Sequence, residues 1–260
     1  MFTSKMQTEA TPERVFALCK LVESKGTATR SNLQELMEPK FLENSSKYFG
    51  PYCNTAVELG LLTISDNNVS LAVDRETIAD TESMRRYVNA SLSKFSEGAF
   101  VRFTRAFFAK GRQVLDMTDL DTMVREVGTE AGGIDVSNIR AWRFWASFLG
   151  LIRIHSVGTK VTLLPNAATF LADAIDASGL ELGVPHRTSD LMDRIGTTVS
   201  IVCNLEETPL NYGVSCGFRT LHDIGKVKLE HVLDQEDIWT LDPLPGHLLD
   251  STVTNITILR

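Results

Sequence analysis

Arg140 and Arg143 stand three residues apart in a stretch where Ile139, Trp142, Trp145, Ala146 and Leu149 recur at three- and four-residue spacing. That spacing predicts a helix, Asn138 to Leu149, with the apolar stripe inward and both arginines away from it. Asn138 falls in its first turn, and Asp135 or Ser137 is suited to cap it. Arg153, His155 and Lys160 follow in a short alternating segment. Arg102, Arg105, Lys110 and Arg112 lie on or just after an earlier helix rich in Phe100, Phe103, Phe107 and Phe108. A guanidinium fork matches the oxygens of a phosphate or the edge of guanine, and a carboxamide can pair with adenine. Such residues on one helix and an adjoining hairpin are suited to contact duplex DNA. The competing reading is a solvated helix face with ordinary surface ion pairs.

A second polar group precedes it: Ser46, Lys47, Tyr48, Tyr52 and Asn54, with Asn67 and Asn68 further on. It is polar and aromatic but weakly basic. Its hydroxyls and amides suit phosphate contacts and a protein-binding surface equally. The Trp142/Trp145 pair reads as core rather than as a stacking platform, because both fall on the apolar stripe.

Motifs of catalysis are missing. The chain has no Gly-x-Ser-x-Gly elbow, no phosphate loop and no His-Glu-x-x-His helix. Gly158-Thr159-Lys160 lacks the first glycine of a phosphate loop. Asp116, Asp119, Asp121, Glu126 and Glu130 follow a helical pattern without a calcium-loop signature. Cys19, Cys53, Cys203 and Cys216 are scattered, with no zinc spacing, and read as reduced structural thiols. The expectation is a non-enzymatic protein without cofactor or metal.

The elements that position these residues are written twice. Ala56-Val57-Glu58-Leu59-Gly60-Leu61-Leu62-Thr63-Ile64 precedes a polar tip and Val69-Ser70-Leu71. Ala146-Ser147-Phe148-Leu149-Gly150-Leu151-Ile152-Arg153-Ile154 precedes another tip and Val161-Thr162-Leu163. Each reads as a helix, a glycine stop and a β-hairpin. A weaker copy, Thr220 to Leu229 with Ile224-Gly225, predicts a third hairpin over 226–241. There the tip is Glu230 to Asp237, and Ile238-Trp239-Thr240-Leu241 is the return strand. Ser189–Cys203 suits an earlier helix, and Val253–Leu259 a final strand.

A helix running through Leu-Gly-Leu into a polar-tipped hairpin resembles the end of a winged-helix domain, whose third helix reads DNA and whose hairpin is the wing. The resemblance implies an α+β, mainly helical fold of tandem modules. The first spans 1–75, a linker 76–95, the second 96–175, and an acidic, degenerate third 186–260. Within the first module Thr11 suits an N-cap and Ser31 a second one. Gly50-Pro51 delays the third helix to Pro51. Within the second module Leu115 to Val127 suits the middle helix.

The net charge of −7 is uneven. Residues 1–75 carry 8 Lys/Arg and 9 Asp/Glu, residues 76–170 carry 12 and 10, and residues 171–260 carry 6 and 14. The last third would repel a phosphate backbone. The basic second module can still bind one, because charges are screened beyond roughly 8 Å in about 0.15 M salt.

The resemblance therefore implies a double-stranded DNA-binding protein, as in bacterial and archaeal regulators and DNA-processing accessory factors. Proteins encoded with phage-defence (antiviral) or DNA-modification systems have this form. A protein partner, or a second copy forming an oligomer, would meet the acidic module. The alternative is an interaction adaptor, similar to the acidic tandem winged-helix subunits that bind kleisins in chromosome-condensing complexes. Neither an apolar run of membrane-spanning length nor an apolar leader is visible, so a cytoplasmic protein without membrane contact is expected.

Overall fold

The computed structural model describes residues 2, 5–41, 48–158, 160–207 and 209–260. Its fold is α+β, mainly helical, with small antiparallel sheets.

The chain opens with α1 (Pro12–Lys25), β1 (Thr27–Thr29), α2 (Arg30–Met37), α3 (Phe49–Glu58) and the hairpin β2 (Leu62–Ser65) and β3 (Asn68–Leu71). Thr11 caps α1 as expected, accepting from Arg14 N. The cap of α2 is Thr29, not Ser31; its hydroxyl accepts from Asn32 N. Helix α3 runs through Gly50-Pro51 rather than starting at Pro51. The proline lies in the first turn, where a missing N–H leaves no intrahelical bond unmade. At the hairpin tip Asp66 and Asn67 take φ of 48° and 68°, the twist that a two-residue turn needs. Strand β1, which pattern alone did not suggest, pairs with β3, giving the order β1-β3-β2.

The segment expected as a linker is a packed helix, α4 (Thr81–Ser91), with Met84 and Val88 fully buried. Next come α5 (Ala99–Ala109), α6 (Leu120–Met123), α7 (Val136–Phe148) and the hairpin β4 (Ile152–Val157) and β5 (Lys160–Pro165). The middle helix is shorter than Leu115–Val127. A 3₁₀ turn occupies Gly111–Asp116, and α6 widens into a π turn over Val124–Gly128. Gly60 and Gly150, at φ of 70° and 74°, end α3 and α7 in the left-handed conformation. A Cβ on Gly150 would also lie 2.3 Å from Thr169 Cβ, so this stop packs tightly on the next helix.

The last third contains α8 (Ala168–Ala177), β6 (Pro185–Arg187), α9 (Thr188–Val199), α10 (Tyr212–Asp223), β7 (Val227–Glu230), β8 (Trp239–Thr240), β9 (Thr252–Val253) and β10 (Asn255–Ile258). The third hairpin departs from expectation. The partner of β7 is β10, and β10 is the middle strand of β6-β10-β7. Residues 238–241 instead contribute β8, which pairs with β9. The reason lies in side-chain type. A middle strand hydrogen-bonds on both edges and favours β-branched residues. Ile256, Thr257 and Ile258 supply them, all buried, whereas Asp242-Pro243 ends the earlier candidate. Residues 231–254 thus form a long excursion between the two strands.

One apolar core runs through the helices and through every strand except β6. Its aromatic centre joins Phe2, Phe95, Phe100 and Trp145 to Phe103, Phe107 and Trp142 through tilted and edge contacts.

Three helices start on aspartate caps. Asp80 accepts from Ser83 N at 2.7 Å, Asp119 from Thr122 N at 2.7 Å and Asp135 from Asn138 N at 2.8 Å. The backbone bonds hold the Asp80 and Asp119 carboxyls below their usual range, and the Asn138 side-chain amide, followed by its backbone N–H, does so for Asp135. A depressed folded-state pKa gives stability that is present above the unfolded value, about 3.9, and is lost as pH falls through the folded one. The urea midpoint is therefore expected to stay level from neutral pH down to about pH 5 and to drop below about pH 4. Asp135→Ala is expected to cost about 1 kcal/mol at neutral pH and to flatten part of that drop. An acid limb unchanged in the variant would exclude this role.

Candidate nucleic-acid interface

Helix α7 and its hairpin carry the candidate surface. The stripe Ile139, Trp142, Trp145, Ala146 and Leu149 is buried, as its spacing requires. Each indole N–H finds an acceptor. Trp142 Nε1 donates to Thr104 Oγ1 at 2.9 Å, and Trp145 Nε1 to Ala10 O at 2.6 Å. The opposite side exposes Ser137, Arg140, Phe144 and Ser147 in one line along the helix.

Not every expected side chain lies on that line. Arg140 does. Asn138 is buried, and its amide donates to Asp135 Oδ1 at 2.6 Å, so it is spent on the cap. Arg143 is half-buried, with its guanidinium carbon 5.1 Å from the centre of the Phe144 ring. Its Nε is enclosed without a hydrogen-bond partner among the described residues. The stripe is wider than a/d spacing alone suggests, because Ala141 and Phe148 also turn inward.

Arg153, His155 and Lys160 are all exposed. The β4–β5 register pairs Arg153 with Leu164, His155 with Thr162 and Val157 with Lys160. Directly paired residues share a face, so all three polar side chains occupy the side opposite buried Ile152 and Leu163. Val161 N, at the hairpin edge, donates to Thr118 O. Among the described residues, the side chains of Arg140, Arg153, His155 and Lys160 have neither an ion pair nor a hydrogen bond.

The other expected cations are committed within the protein. Arg102 donates to the carbonyls of Ala131 and Glu97, bracing the turn before α7. Arg105 donates to Ser96 O. Lys110 pairs with Glu130. Arg112 pairs with Asp242 at 2.9 Å and lies 4.9 Å from the Tyr212 ring centre, tying the excursion to the 3₁₀ turn. Spacing alone could not separate these arginines from Arg140, since their acceptors are mostly main-chain carbonyls or distant in sequence.

In the first unit Tyr48 is part-exposed beneath the Arg14 guanidinium, and Asn54 is exposed on α3. Tyr52 is buried; burial and then the Glu38 carboxylate push its phenol up, so it offers no surface hydroxyl. Lys47 and Ser46 lie outside the described residues. The tip asparagines Asn67 and Asn68 are exposed.

The equivalent face of α10 is turned inward: Ser215 and Arg219, which stand where α7 has Arg140 and Phe144, are both buried. Burial pushes the Arg219 guanidinium pKa down, and its Nε and Nη1 lack partners among the described residues. An ion-pair group that spacing did not reveal joins α4 to α8, where Asp173 accepts from Arg85 and Asn89. Among the described residues no cluster of His, Cys, Asp or Glu suits a metal ion, and no helix is long and apolar enough to cross a membrane. Burial pushes the Cys19 and Cys203 thiols up to about 12, away from nucleophilic use.

No family model matches the chain, and no curated protein or solved structure matches it.

Proposed function

We propose that the chain is a double-stranded DNA-binding protein of tandem winged-helix modules, with α7 and the β4–β5 hairpin as its contact surface. Support for the modules comes from connectivity. The order helix, strand, helix, helix, then two antiparallel strands with the later one in the middle of a three-stranded sheet, occurs in the first unit and in the unit from α8 to β10, while the unit between them has its helices followed by the two-stranded β4–β5 hairpin. On this reading α8 is the first helix of the third module, and α4 packs between modules. The proposed role is that of a regulator or accessory factor, without catalysis.

The observation that carries the DNA reading is four unpaired polar side chains, Arg140, Arg153, His155 and Lys160, on one helix and its hairpin. Most other cations of that segment are paired or bonded to carbonyls. Unspent guanidinium groups on a helix face suit a major groove, with the wing cations on the flanking phosphates.

The test is a titration of labelled duplex with the combined variant Arg140→Ala, Arg153→Ala, Lys160→Ala. Affinity is expected to fall by about tenfold or more, and the salt slope by about 0.9 for each phosphate no longer neutralised. Stability is expected to move by no more than about 0.5 kcal/mol. Arg112→Ala, which removes a cation already paired, is the control and is expected to bind as the parent does. A combined variant that binds like the parent moves the assignment to the adaptor reading.

That second reading has its own observation. From Glu230 to Asp250 the chain has six carboxylates and no Lys or Arg. Leu233 and Leu248 are 78% and 102% exposed there. An acidic rim with exposed leucines suits a protein partner or a second copy rather than DNA.

A further inference from the structure

We infer that the DNA surface proposed above reads the C5-methyl group of thymine in the major groove through Phe144, an inference that rests on that DNA reading. Phe144 sits one turn beyond Arg140 and one turn before Ser147 on the exposed line of α7, with 38% of its surface open. The guanidinium carbon of Arg143 lies 5.1 Å from the ring centre. The remaining Arg143 donors are left for a phosphate, and the ring presents apolar surface.

Charge selects the occupant. One turn before the ring on the same exposed line stands Arg140, without an ion pair or hydrogen bond among the described residues, and the hairpin that follows this helix exposes Arg153 and Lys160 on one face, likewise unpaired. A polyanion satisfies them, and an apolar protein surface would bury them unpaired. Within duplex DNA the apolar feature at a base edge of the major groove is the thymine methyl, and phenylalanine is among the side chains that contact it. Thymine recognition by Phe144 therefore combines the ring and the charges in one site.

The test compares two duplexes for binding to the full chain by fluorescence anisotropy. One alternates deoxyadenosine and thymidine, so every register offers a methyl group. The other has deoxyuridine in place of thymidine. The parent is expected to prefer the thymine duplex by about fourfold, the worth of one methyl group removed from water. Phe144→Gln is expected to erase that preference, so that the ratio of its affinities for the two duplexes falls to about one. Phe144→Leu, which keeps an apolar tip and guards against loss of packing, is expected to retain part of it. Equal binding of both duplexes by the parent overturns the inference and leaves the DNA reading standing. A preference that persists in Phe144→Gln also overturns it, since duplex shape is then what discriminates. Failure of the parent to bind either duplex removes the DNA reading itself.

Discussion

Trp145→Ala is expected to lower the stability of the fold by about 3–5 kcal/mol. The side chain is completely buried, meets Phe2 edge-on at 5.3 Å and Phe148 at 5.8 Å, and donates to Ala10 O at 2.6 Å. Truncation removes the burial of a large ring and leaves a cavity that fixed neighbours cannot fill. It also leaves a carbonyl acceptor in the N-terminal segment without its donor. That segment threads between the first and second units, since Phe2 N donates to Glu58 and Lys5 pairs with Asp135. The substitution should therefore loosen contact between units as well as the core of one. Trp145→Phe separates the contributions. It keeps most of the apolar area and gives up the hydrogen bond, and a cost of about 1–2 kcal/mol is expected. Urea unfolding of the three proteins measures both. A Trp145→Ala cost below about 1 kcal/mol, the size of a surface change, would contradict the packing described.

Asp173→Ala is expected to cost a similar amount, about 3–5 kcal/mol, by a different route. The carboxylate is 4% exposed and accepts from Arg85 Nε at 2.9 Å, Arg85 Nη2 at 3.0 Å and Asn89 Nδ2 at 2.7 Å. The hydrogen bonds that Arg85 donates to Asp173 raise the Arg85 pKa, and a guanidinium stays charged at working pH even when that partner is removed. It is then left, part-buried, with only the longer contact to Glu82 at 3.5 Å, beside an Asn89 amide that keeps its bond to Leu149 O and loses its other acceptor. The penalty belongs to these stranded groups more than to the missing attraction, which gives a sharper test. Arg85→Met combined with Asp173→Leu removes both charges and is expected to recover most of the stability. Thermal melts of the two single variants and the double variant close the cycle. A double variant as unstable as the sum of the singles would show that the pair does not act as a unit.

The contrast between what the residues foretold and what they did not follows the range of the interactions. The hairpins β2–β3 and β4–β5 and the glycine stops at Gly60 and Gly150 are local, and spacing was enough to find them. The buried stripe of α7 was legible for the same reason, and opposite it Arg140 and Phe144 share a face. Strand β1 was not legible. Three residues carry no periodicity, and only pairing with β3, far along the chain, makes them a strand. The return strand of the third hairpin was misplaced because Ile238–Leu241 alternates as well as Asn255–Ile258 does. The distinction is that β10 bonds to strands on both edges, which no local window contains. Several candidate side chains are already engaged within the protein. Asn138, Arg102, Arg105, Lys110 and Arg112 have suitable chemistry but find acceptors within the protein. Tyr52 lies on the inner side of α3. Residue type shows what a group can bind, and the fold determines whether it is already bound.

The most direct test of the proposed DNA surface is a titration of the full chain into labelled duplex DNA across a series of salt concentrations. Arg140, Arg153 and Lys160 supply three cations, with the exposed His155 ring beside them on the hairpin. With three phosphates neutralised, log K is expected to fall linearly with log salt at a slope of about −2.7. No binding at the lowest salt, or a slope near zero, would contradict the proposed surface.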